Sequence, residues 1–198
     1  REIIFTGCGT ESDNMALRGV LATEAKTGSH IVTTAIEHPA VIETCAYLET
    51  RGVEVTYVPV GRSGVIDPDD VAESIRDDTV LVSVMHGNNE SGSVQLIAEI
   101  AKLVKERDKI FHTDAVQTAG KLPIDVEEMN IDLLALSGHK LNAPKGIGAL
   151  YIREGLTMDA LIHGGHQERN RRSGTENVAG IVALGRACEL GMSHMEEE

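Results

Sequence analysis

The stretch "LALSGHKLNAPKG" at residues 134–146 joins an apolar run directly to a Ser-Gly-His-Lys step and a Pro-Lys-Gly turn. A short apolar run that ends in turn residues is typical of a buried β-strand. Because a strand end is rigid, the serine, histidine and lysine after it would be held in fixed directions. By themselves they fit an ordinary strand-to-turn junction as well as a reactive site.

Similar apolar runs alternate with helical patterns along the chain. Strands are predicted at 2–6, 30–36, 53–60, 79–85, 109–114, 131–137 and 147–152, and helices at 10–26, 39–51, 67–75 and 94–107. The third of these helices should begin with a capping Asp67 and with Pro68 in its first turn. Continuously apolar strands separated by helices indicate an α/β fold, with a mainly parallel sheet covered by helices on both faces.

Composition narrows the function classes. The 198 residues carry a net charge of −13, which argues against general nucleic-acid binding, and no apolar stretch has the length of a membrane helix. Three widely spaced cysteines fit no zinc pattern and suggest a reducing compartment, so we expect a cytoplasmic protein. His163 and His166 have no third ligand nearby, and no metal is expected.

Polar residues follow five of the predicted strands. In parallel sheets, ligands bind just beyond the carboxyl ends of the strands. We therefore predict that the side chains found there line one cleft: Gly9 and Thr10, His38, Asn89, Asp114 and Gln117, and Ser137, His139 and Lys140.

The segment "TGCGTESDN" (6–14) is a glycine-bearing loop that leads into a helix. Thr10 and Asp13 have the spacing of a capping box, and the free N–H groups of a helix start can also hold a phosphate. The segment matches neither a Walker loop nor a GxGxxG turn. An ordinary capped helix and a phosphate seat both remain open.

A single cofactor accounts for these strand ends. A partly desolvated lysine can form a Schiff base with an aldehyde, and pyridoxal 5'-phosphate needs an aspartate opposite its ring nitrogen to keep that nitrogen protonated. A histidine can stack on the ring and move protons. Lys140, Asp114 and His38 are of the required types.

Longer motifs carry a family resemblance. They are "TESDNMAL" (10–17), "EHPAV" (37–41), "HGNNESG" (86–92), "HTDAVQTAGKLPIDV" (112–126), "LSGHK" (136–140), "PKGIGALYIR" (144–153) and "HGGHQERNRRSGTENVAGIVALG" (163–185). In order and spacing the chain resembles the cysteine desulfurases of the NifS/IscS class, which use pyridoxal phosphate and have the aspartate-aminotransferase fold. The resemblance implies that residues 1–198 belong to the cofactor-binding large domain, with the family's opening segment and small domain outside them.

The resemblance implies roles at the cofactor ring. Lys140 would carry the cofactor as a Schiff base, and His38 would stack on the ring as acid and base. Asp114 would pair with the ring nitrogen and Gln117 with the phenolic oxygen. Asn89 would help to hold the substrate carboxylate and the cofactor.

It also implies a phosphate site shared between two subunits. Thr10, Ser137 and His139 would hold the phosphate, in a loop that includes Gly9. Thr175 would reach the phosphate of the other subunit in a homodimer.

The implied reaction converts L-cysteine to L-alanine and leaves the sulfur as an enzyme persulfide. An iron–sulfur scaffold or another sulfur-acceptor protein would then be the partner. Alternatives of the same fold are a selenocysteine lyase and an aminotransferase. An alternative of another class is a non-catalytic assembly or docking partner.

Two departures from the family pattern favour that last alternative. The phosphate loop has Gly7 where the family has a hydroxyl residue, and Cys8 where glycine is usual. None of the three cysteines, Cys8, Cys45 and Cys188, matches the family's persulfide cysteine. Cys45 and Cys188 are predicted to fill core space. The persulfide cysteine and the arginine that binds the substrate carboxylate are expected in the parts of the family beyond these residues. His112 is either a packed core histidine or a functional one.

Overall fold

A computed structural model describes residues 2–24 and 29–195. The strands are β1 (Ile3–Thr6), β2 (His30–Thr34), β3 (Glu54–Val58), β4 (Thr79–Ser83), β5 (Ile110–Asp114), β6 (Leu133–Ser137) and β7 (Gly148–Ile152). The α-helices are α1 (Gly9–Glu24), α2 (Pro39–Glu49), α3 (Pro68–Ser74), α4 (Ile97–Lys105) and α5 (Val178–His194). Two short 3₁₀ turns span Gly138–Lys140 and Gln167–Asn170.

All seven strands of the described residues form one sheet in the order β1-β7-β6-β5-β4-β2-β3. Strand β7 is antiparallel to both of its neighbours, β1 and β6. The other pairings are parallel. The prediction of a mainly parallel sheet is confirmed. Strands β1 and β6 run in the same direction because both are antiparallel to β7, so their carboxyl ends lie at one edge of the sheet.

Helices cover both faces, as predicted. One apolar cluster joins Met15 of α1 and Val41 of α2 to the sheet. The other joins Val71 of α3 and Ile100 of α4 to the opposite face. Every residue of β2 and of β7 is buried, as expected for strands covered on both faces.

The helix starts agree only partly with the sequence predictions. Asp67 caps α3 by accepting a hydrogen bond from the Asp69 N–H, with Pro68 in the first turn, as expected. The predicted capping box of Thr10 and Asp13 is wrong: α1 begins at Gly9, and Asp13 is buried. The predicted residues 25–26 of this helix lie outside the described residues.

Between residues 29 and 195, and between 2 and 24, no helix is long and apolar enough to cross a membrane. The longest, α5, leaves Val178, Val182 and Met192 exposed, but it also carries charged residues.

Gly148 allows the loop after β1 to lie against the sheet. A Cβ at this position would lie 2.8 Å from the carbonyl carbon of Cys8, 2.8 Å from the Leu136 oxygen and 2.9 Å from Thr6 Oγ1. Two of these three neighbours are backbone atoms, which cannot move without shifting the loop.

We expect Gly148→Ala to lower the free energy of unfolding by about 1–3 kcal/mol, because the added methyl group overpacks this contact. Gly61→Ala is the control, since Gly61 is exposed and nothing lies within 4 Å of its added Cβ. Urea unfolding of both variants measures the difference, and equal midpoints would contradict the packing role of Gly148.

Candidate active site

A cavity of about 220 Å³ lies at the carboxyl edge of the sheet. Its lining comprises Cys8, Gly9, Thr10, Asp13, His38, Met85, Asn89, Asp114, Val116, Gln117, Ser137, His139 and Lys140. Nine of the ten predicted site residues are therefore brought together, each from the last residue of β5 or β6 or from a segment that follows β1, β2, β4, β5 or β6. The tenth, Thr175, lies elsewhere.

The floor of the cavity is buried and acidic. Asp114 ends β5, is 4% exposed and accepts a 2.8 Å hydrogen bond from the Val116 N–H through Oδ1. Burial raises the pKa of Asp114, while the Val116 N–H and the nearby His38 act in the opposite direction. A cationic group bound in the cavity would therefore form an ion pair with the Asp114 carboxylate.

Asp13 is a second carboxyl on the floor, and the sequence reasoning missed it as a site residue. Its side chain is 1% exposed. The pKa of Asp13 lies well above its ordinary value because of burial first, and then because of Asp114, Glu37 and Cys8. Its spacing of four from Gly9, one turn along the same helix face, is the signal that could have found it.

The rim is exposed and carries Lys140. Strand β6 ends at Ser137, and the tight turn that follows is held by hydrogen bonds from the Gly138 N–H to the Ile147 oxygen (2.9 Å) and from the Leu141 N–H to the Gly138 oxygen (2.9 Å). Ser137 Oγ lies 2.9 Å from His139 Nδ1. The turn thus fixes Lys140 at the mouth of the cavity, as its position after a strand end predicted.

His38 lies at another part of the rim, at the start of α2. Its Nδ1 accepts a 3.0 Å hydrogen bond from the Ala40 N–H. A neutral imidazole whose Nδ1 accepts must carry its proton on Nε2. The side chain therefore offers a single N–H donor, Nε2–H, besides the nitrogen that caps the helix.

The loop before α1 is braced by an ion pair. Glu11 accepts from the Gly7 N–H (2.8 Å) and from Arg172 Nε and Nη2 (2.7 and 3.1 Å). A Cβ at Gly7 would lie 2.9 Å from Glu11 Oε2, so glycine at this departure from the family pattern leaves room for the carboxylate. The loop backbone is fixed without a hydroxyl at position 7.

Thr175 lies in a surface groove on the far side of this ion pair. Its neighbours in the groove include Gly7, Arg172 and Asn177. The residue is exposed. Arg172 thus connects the segment that carries Thr175 to the loop of the cavity.

The cysteines differ in their surroundings. Cys8 is half-buried and lines the cavity, whereas Cys45 is on the buried face of α2. Burial raises the pKa of the Cys45 thiol to about 12 and also raises that of Cys188. Since the thiolate is the nucleophile, Cys45 is an inert core residue, as predicted. Cys188 packs at the edge of a small cluster with Leu141 and Leu184 and is half-exposed rather than buried.

His163 and His166 are exposed, and His166 Nδ1 lies 2.6 Å from Asn170 Oδ1. Over residues 2–24 and 29–195, no three His, Cys, Asp or Glu side chains are grouped as a metal ion would require.

Glu37 supports the segment that carries His38. Its Oε1 accepts from Thr34 Oγ1 (2.6 Å) and from the Met85 N–H (2.9 Å). Burial raises its pKa from 4.5 to about 8, although both hydrogen bonds act in the opposite direction. The folded protein therefore prefers the protonated form of Glu37.

Because the folded-state pKa is the higher one, the stability that protonated Glu37 contributes is full below pH 4.5 and is lost as the pH rises toward about 8. The slope is about 1.4 kcal/mol per pH unit within this window. Glutamine keeps the accepting oxygen but cannot ionise. We therefore expect the free energy of unfolding of Glu37→Gln, taken relative to that of the parent protein, to increase as the pH is raised from about 5 to about 9. The total increase should be up to several kcal/mol.

Urea midpoints at the two pH values measure this gain. Glu43→Gln removes the same charge from an exposed position of α2 and serves as the control. A difference between Glu37→Gln and the parent that does not change with pH would contradict the protonated assignment.

Comparison with known proteins identifies the family. The aminotransferase class-V model matches residues 1–198. The cysteine desulfurase IscS of Dictyoglomus turgidum is 54% identical over 197 residues, which is 100% of this chain and 50% of that protein.

Two solved structures are similar in fold. A NifS-like protein has a TM-score of 0.96 and 45% identity, covering 99% of this chain and 54% of its own. SspA in complex with cysteine has a TM-score of 0.93 and 47% identity, covering 95% of this chain and 55% of its own. The chain thus spans about half the length of the relatives it matches. It belongs to the aminotransferase class-V family, and its relatives include cysteine desulfurases.

Proposed function

We propose that this chain is the cofactor-binding large domain of a pyridoxal-phosphate-dependent cysteine desulfurase. The observation that carries the proposal is the meeting of a lysine, an imidazole and a buried carboxyl around one cavity: Lys140, His38 and Asp114. The identity to IscS proteins supports the same reaction.

The residues of the cavity fit pyridoxal phosphate. Buried Asp114 suits a protonated ring nitrogen, since its raised pKa would fall beside a cation. A Cβ at Gly9 would lie 2.7 Å from Val116 Cγ2 and 3.2 Å from Ser137 Cβ, so the helix start is as close to the cavity wall as glycine permits. The first N–H groups of α1 and the hydroxyls of Thr10 and Ser137 suit the phosphate.

When bound, pyridoxal phosphate supplies an electron sink for bonds at the substrate's α- and β-carbons. Lys140 would hold it through Nζ and would move a proton at the substrate α-carbon. His38 would stack on the ring and hold a proton on Nε2, and Asp114 would keep the ring nitrogen charged. Gln117 would donate to the phenolic oxygen and Asn89 would orient the substrate.

We propose L-cysteine as the substrate, since a similar solved structure is that of SspA in complex with cysteine. L-Alanine is the product, and the sulfur atom passes to an enzyme thiol as a persulfide. Cys45 is unsuited because its thiol is buried. The family resemblance implies that the accepting cysteine lies in the part of the relatives' length that this chain does not span. An iron–sulfur scaffold or another acceptor protein would take the sulfur.

We further propose a homodimer, with Thr175 of each subunit reaching the other's phosphate, and His139 holding the phosphate from within its own subunit. The exposure of Thr175 in a groove away from its own cavity supports that assignment. A cytoplasmic location remains a prediction from the sparse, unpaired cysteines.

Lys140→Ala tests the proposal in the full-length protein. We expect the parent protein to be yellow, with borohydride reduction leaving a pyridoxyl group on the peptide that contains Lys140. The variant should lose this label, and alanine formation from cysteine should fall by about 10²–10⁴-fold. Lys145→Ala is the control, because Lys145 is exposed just after the turn and does not line the cavity.

The outcomes separate the alternatives. A label on Lys140 together with transamination would indicate an aminotransferase instead of a desulfurase. A label together with activity toward selenocysteine alone would indicate a selenocysteine lyase. A colourless parent protein that takes up no pyridoxal phosphate would favour the non-catalytic docking partner.

A further inference from the structure

Three buried polar side chains, Ser83, His112 and Asp13, lie in a row beneath the floor of the cavity. His112 is fully buried, and its Nδ1 lies 2.8 Å from Ser83 Oγ. Its other nitrogen, Nε2, lies 3.6 Å from Asp13 Oδ1. Within the described residues, neither Nε2 of His112 nor Oδ1 of Asp13 has a hydrogen-bond partner.

This row of hydrogen-bonding side chains, Ser83, His112 and Asp13, lies next to Asp114. His112 and Asp114 are two residues apart on β5, so their side chains lie on the same face of the strand. Asp13 approaches from α1 and lines the cavity together with Asp114. The sequence left open whether His112 is structural or functional, and its contact with a cavity-lining carboxyl favours a functional role.

Two buried polar atoms that face each other without a hydrogen-bond partner are costly, and one proton between them satisfies both. The ionisable groups that face Asp13 are Asp114, Glu37, Cys8 and His112. The first three can add only negative charge. Burial and these neighbours raise the pKa of Asp13, and burial lowers the pKa of His112 to about 3, so both groups favour a proton on the carboxyl.

We propose that Asp13 is a positioning residue: it stays a neutral acid, donates its proton to His112 Nε2, and leaves the negative charge of the cavity floor on Asp114. The inference rests on the proposed function, since the charge on Asp114 matters for the cofactor's ring nitrogen. With Nε2 accepting, His112 carries its own proton on Nδ1 and donates it to Ser83 Oγ. Each proton then has one direction: Asp13 donates to His112, and His112 donates to Ser83.

The charge assignment has a consequence for the cofactor. If both carboxyls ionised, a cationic ring nitrogen would face two competing partners and a repulsive pair. A neutral Asp13 leaves one carboxylate, already oriented by the Val116 N–H.

The proton can be located directly by ¹⁵N NMR of the histidine rings in the full-length protein, stripped of cofactor. We expect His112 to be neutral, protonated on Nδ1 and unprotonated on Nε2, between about pH 6 and about pH 8. Loss of the signal in His112→Asn assigns it. An imidazolium, or a ring protonated on Nε2 alone, would overturn the proposal.

Two variants test the consequence for the cofactor. Asp13→Asn keeps a neutral donor toward Nε2, whereas Asp13→Leu keeps the approximate size and removes the donor. We expect the dissociation constant of pyridoxal phosphate to stay within about twofold for asparagine and to rise about tenfold for leucine. A merely space-filling residue would not show this rescue by asparagine.

Equal loss in both variants would mean that ionised Asp13 is required, and no loss in either would mean that Asp13 does not act on the site; both results overturn the proposal. If the leucine variant does not fold, Asp13→Ala takes its place. A parent protein that binds no pyridoxal phosphate refutes the proposed function, while the NMR measurement on the cofactor-free protein still decides where the proton lies.

Discussion

The burial of carboxyl groups at the carboxyl edge of the sheet is the constraint on which the site depends. Asp114 ends a central strand, and its Oδ1 accepts a hydrogen bond from the Val116 N–H. Asp13 and Glu37 enter the same apolar surroundings from α1 and from the segment before α2. Carboxyl groups placed so closely together and away from water cannot all ionise, so some of them keep their protons in the folded protein.

The sheet topology produces this crowding. Strand β7 lies between β1 and β6 and is antiparallel to both, so the carboxyl ends of β1 and β6 lie at the same edge of the sheet. The loop after β1 then lies directly against Gly148 of β7. The start of α1 is thereby pressed against Ser137 and Val116. A side chain at Gly148 or at Gly9 would push the loop before α1 away from the turn that carries Lys140.

Bracing between loops completes the arrangement. The Glu11–Arg172 pair ties the loop before α1 to the segment that carries Thr175, and it is partly shielded from water, with side-chain exposures of 16% and 22%. A bidentate pair of this kind fixes direction as well as distance. The cavity and the groove that holds Thr175 are therefore mechanically joined, although they open on different parts of the surface.

The sequence alone determined the alternation of strands and helices, the mainly parallel sheet and nine of the residues around the cavity. These follow from local signals, since apolar runs mark buried strands and the carboxyl ends of parallel strands meet at one edge. The roles of those residues at a cofactor come from family resemblance and remain proposals.

Only the tertiary structure decided where Asp13 points and what His112 contacts. The spacing of Thr10 and Asp13 suits a helix cap, and nothing local tells a cap from a side chain turned into the core. The same limit applies to Arg172, whose partner Glu11 is 161 positions away. Interactions between distant segments depend on how the chain brings them together, and a pattern read along the sequence does not contain that information.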